Sequence, residues 1–128
     1  MEKVIEPELS YKIVGFCMLI HSELGKGCKE KYYQRALEVI LKNNKINFQK
    51  EIKVDLNFEN NKIGHYYLDF LIENKIVVEL KTKPFLSKSD YNQVLNYLIT
   101  SNLKLGILIN FGKDSLEYKR IINYKISH

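Results

Sequence analysis

The stretch from Tyr67 to Lys81, which reads YLDFLIENKIVVELK, decides how this chain folds and where its chemistry lies. Two apolar runs with the two-residue period of a β-strand flank a polar turn, which predicts a β-hairpin. The apolar face of each strand is predicted to carry Tyr66, Leu68, Phe70 and Ile72 in the first strand and Ile76, Val78 and Leu80 in the second. Three charged residues interrupt these strands: Asp69 in the first, and Glu79 and Lys81 in the second.

The length of the turn decides which residues of the two strands lie opposite each other. A two-residue loop, Asn74-Lys75, would place Asp69 opposite Leu80, whereas the three-residue loop Glu73-Asn74-Lys75 places Asp69 opposite Glu79. Only the longer loop keeps the apolar residues of both strands on one face, and Asn74 tolerates the left-handed conformation that this loop requires. We therefore predict that Asp69 and Glu79 are cross-strand neighbours.

Two carboxylates at opposed positions of a sheet destabilise it unless something compensates their charge. A divalent cation is the natural compensation, because Mg²⁺ prefers hard oxygen ligands, few of them from protein, completed by water and phosphate. Lys81, on the same face as Glu79, could orient or deprotonate a water or stabilise charge that develops on a phosphate. The alternative is a Glu-x-Lys ladder on the surface, with Asp69 as an ordinary exposed charge.

The rest of the chain alternates helical and strand patterns that predict a small mixed α/β layer, with helices packed on a sheet. Helices are predicted at about residues 8–24 and 28–43, and a third begins after a cap at Ser87 or Ser89. Besides the hairpin, strands are predicted from Phe48 to Leu56, from Leu105 to Ile109 and from Tyr118 to Ile126, with a polar turn at residues 59–62.

Length and composition indicate one globular domain over residues 1–128. With 128 residues, of which 45% are hydrophobic, the chain can bury a core, which excludes a disordered protein. No apolar run approaches the roughly 18 residues of a membrane span. The first residues lack the pattern of a signal peptide, and Cys17 and Cys28 have no zinc-type spacing, so we expect a cytoplasmic protein with two reduced thiols.

The net charge of +5 is unevenly placed. Residues 1–80 carry 12 basic and 12 acidic groups, whereas residues 81–128 carry 8 basic groups and 3 acidic ones. A basic segment suggests a polyanionic partner such as nucleic acid. We expect Lys83 and Lys88, in the loop just past the strand that carries Glu79, to contact a phosphate backbone. The alternative is that the lysines reflect an AT-rich coding sequence.

Asp69, followed after nine residues by Glu79-Leu80-Lys81, resembles the D…(D/E)-x-K signature of the PD-(D/E)XK nuclease superfamily, and the order of elements resembles its αβββαβ core. Upstream, GCKEKYY at residues 27–33 is similar to the G-x-x-E-x-x-Y motif of the GxxExxY family within that superfamily. The likeness extends over about residues 9–123 and includes GILINFG at residues 106–112. The family's usual proline before the metal-binding Asp is replaced by Leu68.

This resemblance implies a restriction-endonuclease-like fold and a nuclease that uses Mg²⁺ or Mn²⁺, with DNA as its expected substrate. It implies that Asp69 and Glu79 bind metal together with Glu30, and that Lys81 is the catalytic lysine. Gln93 and Tyr97 match a Q-x-x-x-Y element thought to place substrate. A catalytically silent module that binds nucleic acid or a protein partner, or a junction-resolving homodimer, are the alternatives on the same fold.

Overall fold

In the computed structural model, which describes residues 5–125, three helices pack on the two faces of a five-stranded sheet. The elements are α1 (Pro7–Leu24), α2 (Glu30–Asn43), β1 (Phe48–Phe58), β2 (Asn61–Ile72), β3 (Ile76–Lys81), α3 (Lys88–Ser101), β4 (Leu105–Asn110) and β5 (Glu117–Ile122). The strands follow one another in space as β1-β2-β3-β4-β5. Only β3 and β4 pair in parallel, because α3 connects them as a crossover. This architecture confirms the predicted α/β class, with helices packed on a small mixed sheet.

Two hydrophobic clusters lie on opposite faces of the sheet. The cluster under α1 and α2 contains Ile13, Leu37, Phe70, Val78 and Ile109 among its fully buried members. The cluster under α3 is smaller and contains Leu68, Val77, Val94, Leu98 and Leu108. Successive residues of β3 and β4 therefore point into different cores, as expected for central strands that are covered on both faces.

The turn between β2 and β3 has the predicted register. Ile72 pairs with Ile76, and Phe70 pairs with Val78, which confirms the three-residue loop. Both Glu73 and Asn74 have positive φ, 53° and 54°, as in a type I′ turn. The N–H of Lys75 donates to the carbonyl of Ile72 at 3.0 Å and closes the turn.

The prediction that Tyr66, Leu68, Phe70 and Ile72 share one face is wrong. Tyr66 and Leu68 pack with α3, whereas Phe70 and Ile72 pack under α1 and α2. The change of face falls at Asp69, opposite Glu51, whose φ of 54° takes β1 out of the extended conformation. Asp69 therefore lies at the boundary between the part of β2 that packs with α3 and the part that packs under α1 and α2.

Several element bounds differ from the sequence-based expectations. Strands β1 and β2 are longer than predicted, because their turn contains only Glu59 and Asn60, both with positive φ. Helix α2 begins at Glu30, so Cys28 lies in the preceding loop rather than in a helix. Ser87, not Ser89, caps α3. Strand β5 ends at Ile122, and Ile126 lies outside the described residues. None of the helices within residues 5–125 is long and apolar enough to cross a membrane.

The C-terminal ends of β3 and β4 are locked together by Asn110, which is buried. Its Oδ1 accepts the N–H groups of Lys83 at 2.9 Å and Gly112 at 3.0 Å, and its Nδ2 donates to the carbonyl of Lys83 at 2.8 Å. A Cβ atom at Gly112 would lie 2.4 Å from the backbone oxygen of Lys83. This close approach fixes the segment that follows Lys81.

We expect Gly112→Ala to lower the free energy of unfolding by about 1–3 kcal/mol, since backbone atoms cannot move aside as a flexible side chain can. Gly15→Ala is the matched control. Gly15 lies inside α1 with open space around its Cα, so alanine should stabilise the helix by up to about 1 kcal/mol. Urea unfolding measures both values. Equal stability of the two variants would contradict the close packing at Gly112.

Candidate active site

Asp69 and Glu79 form the centre of the candidate site, at the point where β2 separates from β3. The last backbone pair of that ladder is Phe70 with Val78, and side chains make the next connections. The N–H of Asp69 donates to Oε1 of Glu79 at 3.0 Å, and the N–H of Leu80 donates to Oδ2 of Asp69 at 2.7 Å. Each carboxylate thus replaces a backbone carbonyl of the partner strand, and the two carboxylates are neighbours.

The environment of this pair disfavours two negative charges. Burial raises the pKa of Glu79 to about 9, and the charge of Asp69 acts in the same direction, against the attraction of Lys81. Burial also raises the pKa of Asp69 above its ordinary value, although its hydrogen bonds favour the ionised form. Glu79 is only 4% exposed. The site therefore lacks positive charge, which a bound cation would supply.

Helix α2 brings a third carboxylate to the pair through an amide. Gln34 donates from Nε2 to Oδ1 of Asp69 at 2.7 Å and to Oε1 of Glu30 at 3.3 Å. Glu30 and Gln34 are one helical turn apart and therefore lie on the same side of α2. Burial and the charge of Asp69 both raise the pKa of Glu30. Gln34 was missed by the sequence analysis, although its four-residue spacing from Glu30 was the available signal.

The loop before α2 explains how Glu30 is placed at the first position of that helix. Gly27 has a φ of 104°, which favours glycine. The hydroxyl of Tyr33 donates to the carbonyl of Gly25 at 2.5 Å and accepts from the N–H of Cys28 at 3.3 Å. Its ring stacks on Phe111 with 4.2 Å between centroids. Gly27 and Tyr33 hold the loop, and Glu30 supplies the functional group.

Lys81 lies between two carboxylates. Its Nζ is 3.7 Å from Oε2 of Glu79 and 3.8 Å from Oδ1 of Asp90. Asp90 is buried, and its Oδ2 also accepts from Nζ of Lys83 at 2.6 Å and from the N–H of Ser87 at 2.9 Å. Asp90 was not predicted from the sequence either. Its position three residues after the helix cap Ser87, as in a capping box, was the only signal.

The four residues expected to bind substrate lie around α3. Lys88 is exposed at the first position of the helix, whereas Lys83 is half-buried and bonded to Asp90. Gln93 and Tyr97 are half-buried one turn apart, and the carbonyl of Gln93 accepts from the hydroxyl of Tyr66 at 3.1 Å.

Tyr66 is a further neighbour of the pair that sequence reasoning missed. Burial raises its pKa, and the charge of Glu79 adds to that shift. The structure therefore brings Glu30, Asp69, Glu79 and Lys81 together, with Gln93 and Tyr97 near Tyr66 on the α3 side.

The donor set suits a hard divalent cation. Asp69 and Glu79 offer carboxylate oxygens side by side, and Glu30 is linked to them through Gln34. Within residues 5–125, no group of three or more Asp, Glu, His or Cys side chains is placed to hold an ion directly. Two protein carboxylates with the remaining positions left to water and phosphate is the arrangement that Mg²⁺ prefers.

Comparison with known proteins confirms the predicted restriction-endonuclease-like fold. A family model of the PD-(D/E)XK nuclease superfamily matches residues 7–121, and the chain belongs to that superfamily. Nucleases are the typical members of this superfamily, and they generally use divalent metals and nucleic-acid substrates.

One solved structure, titled "Crystal structure of SSO0001", is similar, with a TM-score of 0.57 and 25% sequence identity. The similar region covers 73% of this chain and half the length of that one. A search of the curated proteins finds no match.

The raised pKa of Glu79 predicts how the stability of the metal-free protein depends on pH. Between the ordinary value of 4.5 and about 9, the folded protein keeps a proton that the unfolded chain has released. Stability should therefore fall as the pH rises through this range, by at most about 1.4 kcal/mol per pH unit. Glu79→Gln should remove this part of the fall, because the amide is neutral in both states.

Thermal unfolding of the metal-free protein at a series of pH values measures this difference. Glu23→Gln, at an exposed glutamate in the last turn of α1, is the matched control and should keep the wild-type pH dependence. Parallel profiles for wild type and Glu79→Gln would contradict the charge repulsion at the site.

Proposed function

We propose that this protein is a divalent-metal-dependent nuclease that hydrolyses phosphodiester bonds, with DNA as its substrate. The observation that carries the proposal is the contact of the half-buried Asp69 with the buried Glu79 beside Lys81, at the point where two strands separate. Burying two neighbouring carboxylates destabilises a protein unless a cation compensates them. Because such a pair lowers the stability of the metal-free protein, it is expected at a catalytic site rather than at a structural contact.

We further propose that the cation is Mg²⁺ or Mn²⁺ and that Asp69 and Glu79 hold it directly, while Glu30 is the third carboxylate of the site, linked to Asp69 through Gln34. When bound, such an ion supplies Lewis acidity toward phosphate and lowers the pKa of a water molecule. The motif with Gly27, Glu30 and Tyr33 supports assignment to the GxxExxY family. In this motif, Tyr33 stabilises the loop before α2, and Glu30 provides the carboxylate at the start of that helix.

In the reaction, a water oxygen forms a bond to phosphorus and the bond to the leaving sugar oxygen breaks. Lys81 is suited to orient that water or to stabilise the charge on the phosphate oxygens, since its ammonium lies 3.7 Å from Glu79. Asp90 holds this ammonium on its other side at 3.8 Å. Gln34 connects Asp69 and Glu30 by two hydrogen bonds. We propose that Gln93 and Tyr97 contact substrate from α3.

Cleavage of labelled single-stranded, duplex and branched DNA, and of matching RNA, with Mg²⁺ or Mn²⁺ tests this function. Lys81→Ala should lower the rate by about 100-fold or more, the usual loss when one group that stabilises transition-state charge is removed. Lys12→Ala, at an exposed lysine of α1 far along the chain from the site, should cleave like wild type. Binding of nucleic acid with no cleavage by the wild type would contradict the nuclease proposal and favour a binding module.

Metal binding should be visible without catalysis. Mg²⁺ or Mn²⁺ should raise the melting temperature, because a ligand of the native state at 100 times its dissociation constant adds about 2.7 kcal/mol of stability. Asp69→Asn should abolish this gain and leave the metal-free protein as stable as wild type or slightly more so, since it removes a repulsive charge.

The control for this measurement is Asp55→Asn, which changes an exposed aspartate paired with Lys62 on the outer hairpin and should leave the metal response intact. Calorimetric or fluorescence melting with and without metal gives the result. If Asp69→Asn unfolds the metal-free protein, the role of Asp69 is structural instead.

A further inference from the structure

A cleft beside the site opens between α2 and β1. It has a volume of about 200 Å³, and its walls include Gln34 and Asp69 of the site together with Lys31, Arg35 and Lys50. Lys31 and Arg35 are one helical turn apart on α2 and follow Glu30 and Gln34 directly in sequence. The same helix therefore carries two residues of the candidate site and two cations of the cleft. The cleft is therefore continuous with the candidate active site.

The cations of this cleft differ in how far they are neutralised. Lys31 and Arg35 are exposed, and neither makes an ion pair within the part of the chain that the structure describes. Lys50 lies 3.1 Å from Glu38, which is also paired with Lys42 at 3.1 Å.

The acidic walls of the cleft leave the two cations of α2 available. Glu38 is held between Lys42 and Lys50, and Asp69 belongs to the metal-binding pair, so Glu51 is the one further acid among the cleft residues. Lys31 and Arg35 are free to bind an anion.

One aromatic ring supports both free cations. Nζ of Lys31 lies 5.3 Å from the ring centroid of Tyr32, and Cζ of Arg35 lies 5.7 Å from the same centroid. Contacts of this kind at exposed sites contribute about 0.5–1 kcal/mol each and restrict long side chains. The ring of Tyr32 therefore restrains both side chains, and the guanidinium of Arg35 offers the forked N–H groups that recognise a phosphate.

We propose that Lys31 and Arg35 bind a phosphate group of the nucleic-acid strand next to the phosphate that is cleaved. This inference rests on the proposed nuclease function and adds that the strand passes along the cleft between α2 and β1. The volume is below the roughly 300 Å³ of small-molecule pockets and suits a single phosphodiester group rather than a base with its sugar.

The position of this subsite differs from the one that net charge suggests. The excess of lysine lies after residue 80, but Lys83 is bonded to Asp90 at 2.6 Å and is therefore less available to a phosphate. Residues 1–80 are neutral in total, yet α2 presents two unpaired cations beside the site. The local arrangement of charges, not their sum along the chain, decides where a polyanion binds.

The test measures binding of a labelled DNA oligonucleotide at a series of salt concentrations, with every variant made in the Lys81→Ala protein so that the strand stays intact. Removing two phosphate contacts should flatten the slope of log K against log salt by about 1.8 for duplex or about 1.4 for single strands. We expect this change for Lys31→Ala/Arg35→Ala. The double variant Lys12→Ala/Lys104→Ala removes the same charge at exposed positions elsewhere and should leave the slope unchanged.

Two further variants sharpen the result. Arg35→Lys keeps the charge and should retain the slope while it loses the forked geometry, so its affinity should fall by less than that of the double variant. Lys83→Ala/Lys88→Ala should flatten the slope by less than Lys31→Ala/Arg35→Ala does. An unchanged slope for Lys31→Ala/Arg35→Ala in a protein that binds DNA would overturn the subsite and leave the nuclease proposal standing. No binding by the parent protein at low salt would overturn both.

Discussion

Glu73 is held in a left-handed conformation by two hydrogen bonds to one residue. Its N–H donates to the carbonyl of Asn47 at 2.9 Å, and its carboxylate accepts the N–H of Asn47 at 2.9 Å. This contact joins the turn between β2 and β3 to the start of β1 and stabilises a φ that a residue with a side chain rarely adopts. Because a slip of one residue moves every side chain to the opposite face, this turn determines which groups meet at the site. The proximity of Asp69 and Glu79 depends on it.

The site lies where the regular sheet ends. After Asp69, from Phe70 to Ile72, β2 pairs with both β1 and β3. Before Asp69, β2 pairs with β1 alone. The strand changes face at the same residue, so Asp69 can contact both α2, through Gln34, and the backbone of β3. The neighbouring carboxylates of Asp69 and Glu79 lie at this boundary, between the two hydrophobic clusters on the faces of the sheet.

The sequence predicted the order of elements, the hairpin register and the proximity of Asp69 and Glu79, because each depends on local patterns. Alternation defines β3, and the polar turn defines its pairing with β2, so the positions of Asp69 and Glu79 follow by counting. The change of face at Asp69 could not be predicted in this way, because counting along a strand assumes unbroken alternation. The change coincides with the positive φ of Glu51 in the neighbouring strand.

Gln34 and Asp90 escaped prediction for a related reason. Their roles come from partners 35 and 7 residues away in the chain, and a glutamine on a helix or an aspartate near a helix cap usually has an ordinary explanation. The expected role of the lysines after residue 80 rested on a sum of charges. Such a sum does not reveal that Lys83 forms an ion pair with Asp90, or that Lys31 and Arg35 of α2 both line the cleft beside the site.

The two connections in which a carboxylate replaces a carbonyl have a spectroscopic consequence. The amide protons of Asp69 and Leu80 point at the oxygens of Glu79 and Asp69, whereas their neighbours Phe70 and Val78 belong to the regular ladder. Their chemical shifts are consequently sensitive to the charge on those oxygens in a way that ladder amides are not. In a nitrogen–proton correlation spectrum, these two resonances are built-in probes of what the carboxylates hold, and they need no label at the site and no substrate.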